Sequence, residues 1–353
     1  MKLPKGLALA ALAAAFAMLA GAAALEAGVR LSGFSAPFWY RPDPVAGWTL
    51  RPGTQGWFTK RFATANPVYV RVSEAGFRDR EHTLDKPDDV FRVAVLGDEQ
   101  SEAMHVELAE TWWSLLGGEL EGCSLAGGRR VEMLNFGVNG YGTAQELAVL
   151  ESVAMRYQTD LVLLQFSAGN DPQNNSFALS HDKQRPYYRL DREGRPRIDA
   201  SFSTAPDFLR HAAPSHELAR RIGDRSRAVQ WLSMLPEPRY WVGVQKALLG
   251  PPPGELWEEA WRISEALVLR MNEFSRRNGA RFSVAIVPAA PESSYGSERI
   301  AAFTAKHGIQ SVTLALDKAQ YYGVRWNSDG QRAAAQRLAS ALCGSRDRRL
   351  RSE

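Results

Sequence analysis

Four short polar stretches of this chain carry residue types that do chemistry. They are Gly97-Asp98-Glu99, Asn135-Phe-Gly-Val-Asn-Gly-Tyr-Gly-Thr143, Ser167-Ala-Gly-Asn-Asp171 and Arg325-Trp-Asn-Ser-Asp-Gly330. Carboxylates, side-chain amides, glycine turns and a guanidinium suit acyl chemistry or the binding of a polar ligand. Ser101 and His105 lie four residues apart. If a helix starts early, that spacing puts a hydroxyl nucleophile and an imidazole base on one face. The same pair also suits a helix-start serine and a surface histidine.

These stretches need elements to bring them together. Phe91–Leu96, Val131–Asn135 and Leu161–Leu164 are short apolar runs that read as buried strands, and the first three stretches follow them directly. The continuous apolar character of the third suits a parallel strand covered on both faces. Helical patterns near Leu108–Leu120 and Thr143–Met155 separate them. Later come a helix near Trp257–Arg277, a strand Phe282–Val287, a helix near Ser297–Lys306, a strand Gln310–Leu314 and a helix Asp329–Leu342. Regular alternation of strand and helix predicts an α/β domain of three layers around a mostly parallel sheet with flavodoxin-like winding. In such sheets the chemistry gathers at the carboxyl ends of the strands.

The order and spacing of the four stretches resemble the SGNH (GDSL-like) hydrolases, in particular a membrane-anchored bacterial branch with an aromatic, proline-rich segment ahead of the main domain. The resemblance runs from about Trp39 to Leu342. It implies a serine nucleophile after Gly-Asp, a histidine base in the last loop and an aspartate three residues before it. It also implies an oxyanion site built from the nucleophile's own backbone N–H, a glycine N–H and an asparagine amide, the last two here Gly140 and Asn170. The triad does not carry over. Glu99 stands at the nucleophile position, Arg325 at the base position and Tyr322 at the orienting-acid position, while Trp326 and Asn327 remain from the usual His-Trp-Asn run. Arg325 cannot act as a base, because guanidinium stays protonated. Glu99 and Arg325 instead carry opposite charges at sites expected to face each other, which predicts a charge-assisted pair closing the corner. Asp98 and Asn327 are expected to support the turns, and Asp171 and Asn174 to line the pocket or cap the next segment.

The rest of the chain sets the context. Its 353 residues are 45% hydrophobic and 23% charged, with a net charge of +4, an ordinary globular balance. No basic stripe with interleaved aromatics accompanies the arginine-rich tail at 343–353, so nucleic acid is not an expected partner. Lys2 and Lys5 precede 20 residues without a charge, Gly6–Leu25. That is long enough to cross a bilayer, and the lysines predict a cytoplasmic N-terminus with the rest exported. An uncleaved single-pass anchor in the inner membrane, with a periplasmic domain, is the favoured reading of residues 1–30. Cleavage near Ala22–Ala24 would give a secreted form. Residues 31–90 read as a small β extension, 91–342 as the main domain, and about 172–255 as a part-helical inserted cap over the strand ends, with helices at His216–Arg221 and Ala228–Leu235.

Cys123 and Cys343 form either a disulfide, which an oxidising compartment favours, or two separate thiols. No Cys or His pair sits at metal-ligand spacing, and no cofactor is expected. Two functions stay open. One is a catalytically degenerate protein binding an acylated envelope polysaccharide, a small ester ligand or an envelope assembly partner. The other is an active esterase or acyltransferase on acyl groups of envelope glycans.

Overall fold

A computed structural model of the chain describes residues 5–58, 67–233, 254–291, 293–323 and 325–344. The C-terminal basic tail from residue 345 on, the Pro251–Pro253 run and the expected helix end at Leu235 lie outside the described residues.

Five strands form one parallel sheet: β5 (Val90–Leu96), β6 (Arg130–Asn135), β7 (Leu161–Ser167), β10 (Arg281–Val287) and β11 (Gln310–Thr313). Their spatial order is β11-β10-β7-β5-β6. Numbered within the sheet this is 2-1-3-4-5, the flavodoxin-like winding, with its switch point between β5 and β7. β5 and β7 are buried along their whole length, which is why their sequences are continuous apolar runs rather than alternating ones.

Alternate residues of β5 feed the two faces. Ala94 and Leu96 join α4 (Thr143–Ser152), α9 (Glu255–Arg277) and α10 (Tyr295–Lys306) in one core. Val93 and Val95 join α3 (Trp112–Leu120) and α11 (Ser328–Cys343) in the other. α3 begins one turn later than the sequence pattern predicts. Leu108–Glu110 is a 3-10 turn, and the Thr111 hydroxyl accepts the Ser114 N–H to start the helix proper. Cys123 and Cys343 are joined in a disulfide that fastens the end of α11 beside α3.

Ahead of the sheet, α1 (Lys5–Leu31) is a single long apolar helix. Two small hairpins follow, β1–β2 (Tyr40–Asp43, Gly47–Leu50) and β3–β4 (Gln55–Phe58, Val68–Arg71). The inserted region is more mixed than its sequence suggests. It opens with α5 (Asp171–Asn175), continues as a hairpin β8–β9 (Tyr187–Leu190, Pro196–Asp199), and then runs through α6 (Pro206–His211), α7 (Pro214–Gly223) and α8 (Arg227–Ser233). Only part of it covers the strand ends. Arg185 reaches Gly140, whereas α7 and α8 are fastened to Phe38, Arg51 and the base of α1.

Candidate functional site

The carboxyl ends of β5, β6 and β7 meet at the switch point, and the first three polar stretches meet there with them. Asp98 leaves β5 and caps the short helix α2 (Glu99–Glu102), its Oδ1 accepting the Gln100 N–H at 3.0 Å. Its Oδ2 accepts the Ser167 hydroxyl at 2.7 Å and the Asn170 amide at 3.2 Å. Asp98 therefore ties the end of β5 to the end of β7.

α2 lasts one turn. Ala103 follows it with φ +46°, a left-handed conformation that costs a non-glycine residue about 1–2 kcal/mol. Buried Arg78 holds the break by donating to the carbonyls of Glu102 and Ala103. The break corrects the expectation of a shared face for Ser101 and His105, since no helix connects them. Ser101 is fully buried, and its hydroxyl donates to Gln165 Oε1 at 2.9 Å. A Cβ on Gly97 would come within 2.5 Å of that hydroxyl, so the chain closes tightly over it. His105 Nε2 lies 2.7 Å from the Trp326 carbonyl instead. Among the other histidines, His211 and His216 face each other across α6 and α7, His307 packs on Phe303, and His82 sits between Asp79 and Glu132.

Glu99 is half-buried at the first position of α2. Its Oε2 accepts the Gly140 N–H at 3.4 Å. Gly140 has φ +79°, and a Cβ there would touch Trp48 at 3.4 Å. This turn is therefore both left-handed and covered. Trp48 Nε1 donates to the Asn139 carbonyl, and Arg185 stacks over the Trp48 ring while donating to the Gly140 carbonyl. Burial and the neighbouring Asp98 charge push the Glu99 carboxyl up to about 7, against the pull of Arg325 and the Gly140 N–H.

Arg325 and Tyr322 are cross-strand partners in the two-residue hairpin β12–β13 (Tyr321–Tyr322, Arg325–Trp326). Arg325 is buried, whereas Tyr322 is exposed. The expected direct Glu99–Arg325 pair is replaced by a different contact. Arg325 Nη2 donates to Asn139 Oδ1 at 3.1 Å and acts on Glu99 through space. A second carboxylate shares the corner. Glu102 is buried one turn along α2, where it accepts the Asn139 N–H at 3.2 Å and the Tyr40 hydroxyl at 2.9 Å. Arg325 thus acts on both carboxylates through space while its own hydrogen bond goes to Asn139. Burial raises Glu102 above the usual carboxylate range.

Sequence reasoning missed Glu102 and Tyr40. The available signal was the i, i+3 spacing of Glu99 and Glu102, which places two acids on one turn. Asn327 caps α11, its Oδ1 accepting the Gly330 N–H at 2.9 Å and its amide reaching the Ala319 carbonyl. Asp171 and Glu146 extend the acidic corner inward. Both are fully buried, and desolvation and neighbouring carboxylate charge raise both well above the usual range. Asn174 donates to the Tyr141 carbonyl and so braces the second polar stretch.

The chemistry follows from these bonds. Gly140 N–H is given to Glu99, and the Asn170 amide to Asp98. The hydroxyl at Ser101 is sealed. The corner can hold protons on closely spaced carboxyls and bind a cationic or hydrogen-bonding group at its rim. Among the described residues and the hydrogen bonds given above, it shows no hydroxyl nucleophile paired with a base.

No family model matches the chain, and no curated protein matches it. Solved structures do align with it. A GDSL-like lipase from Bacteroides thetaiotaomicron is 11% identical, covering 71% of this chain and 87% of its own, with a TM-score of 0.35. A lipolytic protein of the G-D-S-L family from Desulfitobacterium hafniense is 9% identical, covering 71% and 98%, with a TM-score of 0.38. A catalytic mutant of an acetylxylan esterase from Geobacillus stearothermophilus is 9% identical, covering 72% and 95%, with a TM-score of 0.39. These are likenesses of low identity and low TM-score.

Proposed function

We propose that this chain is an SGNH-like, membrane-tethered, extracytoplasmic protein without serine-esterase activity, which acts by binding an acylated envelope polysaccharide or an envelope assembly partner. The observation that carries the reading is the bond from the Gly140 N–H to Glu99 Oε2. In a hydrolase of the type the motifs resemble, that N–H stabilises the developing oxyanion. A resident carboxylate there repels an oxyanion and competes for its donor. The triad substitutions support the same conclusion, because Arg325 cannot accept a proton and Tyr322 faces solvent. The charge-free run in α1, preceded by Lys2 and Lys5, supports a single-pass anchor with the domain outside the cytoplasm.

The test is labelling by a fluorophosphonate, which reports an activated serine. The full chain in detergent is expected to remain unlabelled, while a Glu99→Ser, Tyr322→Asp, Arg325→His variant gains label at residue 99. Labelling of the natural chain that disappears in Ser101→Ala would overturn the reading.

One observation favours the second function. A carboxyl pushed up to about 7 is matched to proton transfer at neutral pH. An esterase or acyltransferase using Glu99 as its proton acceptor would show a pH–rate profile with an inflection near that value, lost in Glu99→Gln.

A further inference from the structure

The base of α1 and the start of α8 are joined without a linker. Glu26 lies immediately after the charge-free run Gly6–Leu25. Its Oε1 accepts the Arg227 N–H at 3.0 Å, and its Oε2 accepts the Ser226 hydroxyl and the Ala228 N–H at 2.8 Å each. One turn further along α1, Arg30 Nη2 donates to the Arg225 carbonyl at 2.7 Å. Twenty helical residues span about 30 Å, the thickness of a bilayer's hydrocarbon core. A helix that crosses at Gly6–Leu25 therefore puts Glu26, and with it the first turn of α8, at headgroup depth.

The inner side of this helix pair is already filled. Gly223 packs directly on the Phe38 ring, where a Cβ would come within 2.6 Å. Asp224 accepts the Phe38 N–H and pairs with Arg51, and Gln230 accepts the Ala36 N–H. The outer side is apolar and open. Leu218 and Ile222, four apart on α7, are 59% and 60% exposed, and Val229 and Leu232, three apart on α8, are 44% and 49% exposed. Such spacing makes a stripe on each helix. Arg221 and Arg225, both exposed, border the stripes.

We propose that α7 and α8 lie on the bilayer surface beside the exit of α1, with the two apolar stripes seated among the lipid headgroups and the arginines toward their phosphates. This rests on the reading of α1 as a membrane span. Apolar residues backed by arginines are the composition of an interfacial helix. The Glu26 and Arg30 bonds fix its depth, so the domain is held in one orientation to the membrane rather than swinging on a tether.

Nitroxide labels on the full, disulfide-bonded chain in vesicles of phosphatidylethanolamine and phosphatidylglycerol test this. Labels go on Ile222→Cys and Val229→Cys. Leu12→Cys serves as the depth reference. Arg277→Cys serves as the water reference, because it ends α9 just before β10 and so lies at the amino edge of the sheet. The expected result is an oxygen-to-nickel accessibility ratio at 222 and 229 several-fold above that at 277 and below that at 12. Ratios at 222 and 229 equal to that at 277, with 12 deep in lipid, would overturn the surface contact and leave the span intact. Shielding of 222 and 229 from both probes would also overturn it, in favour of a protein cover. A water-like signal at 12 would overturn the span and the proposal together.

Discussion

Glu99 Oε2 takes the Gly140 N–H at 3.4 Å, and the glycine that supplies it holds a left-handed conformation that its missing side chain favours. An acid at the end of a buried strand has thereby claimed a backbone donor from the next strand's loop. Asp98, one residue earlier, claims the Asn170 amide in the same way. Two consecutive acidic residues engage two of the three donors that the sequence motifs would assign to an oxyanion.

The raised Glu99 carboxyl makes stability depend on pH. Between its ordinary value of 4.5 and about 7, the folded state holds a proton that the unfolded state releases, so stability falls as pH rises through that window. A rise of this size corresponds to at most about 3–4 kcal/mol, and partial exposure to solvent reduces it. Glu99→Gln is expected to flatten this part of the profile and to raise the urea midpoint at pH 7. Urea titrations at several pH values check it. An unchanged slope would mean that Glu99 is ionised throughout.

His82 acts in the same sense, in a window that begins at its ordinary 6.5. Burial alone would push it down, but Asp79 at 3.1 Å and Glu132 at 2.8 Å more than offset this and hold it above its ordinary 6.5. Its contribution is full below 6.5 and is lost as pH rises through the higher folded value. His82→Ala leaves two carboxylates without this partner and is expected to cost about 1–3 kcal/mol at pH 6, with a smaller loss at pH 8. Paired denaturation curves at the two pH values measure the difference.

Gly140→Ala adds a side chain at φ +79° against Trp48. The left-handed conformation alone costs about 1–2 kcal/mol. The expected result is a lowered melting temperature together with changed Trp48 fluorescence, since that ring packs on the turn. Loss of stability without a change in fluorescence would place the strain elsewhere.

The Cys123–Cys343 bond closes a loop with a sequence separation of 220. Loops of this length gain up to about 5 kcal/mol from cross-linking, and native bonds typically contribute about 2–4. Cys343→Ser, or reduction of the natural chain, is expected to lower stability by that amount. Equal melting temperatures with and without reductant would show that the bond does not form in the isolated protein.

The sheet was legible because β5 and β7 are buried on both faces and read as unbroken apolar runs, and because α9 carries a long helical stripe. The positions of the polar stretches followed from that topology. The short hairpins were harder. β1 and β9 are four residues each and contain proline and arginine, so neither alternation nor apolar content marks them. Within the site, the helix that Ser101 and His105 would need in order to share a face is cut short at Ala103. Its left-handed backbone ends α2 early, and alanine gives no sign of it. The roles of Tyr40 with Glu102, and of Glu26 with α8, depend on contacts 62 and about 200 residues apart. No local pattern records such contacts.

The most direct measurement is hydrolysis of p-nitrophenyl acetate by the full chain in detergent, beside Ser101→Ala and the Glu99→Ser, Tyr322→Asp, Arg325→His variant. The account predicts that the natural chain stays at the rate of buffer alone and that the triple variant gains turnover, since losing the carboxylate at 99 frees the Gly140 N–H, and the Asn170 amide has a second hydrogen besides the one given to Asp98. Turnover by the natural chain that Ser101→Ala abolishes would contradict it and make this corner a working esterase site.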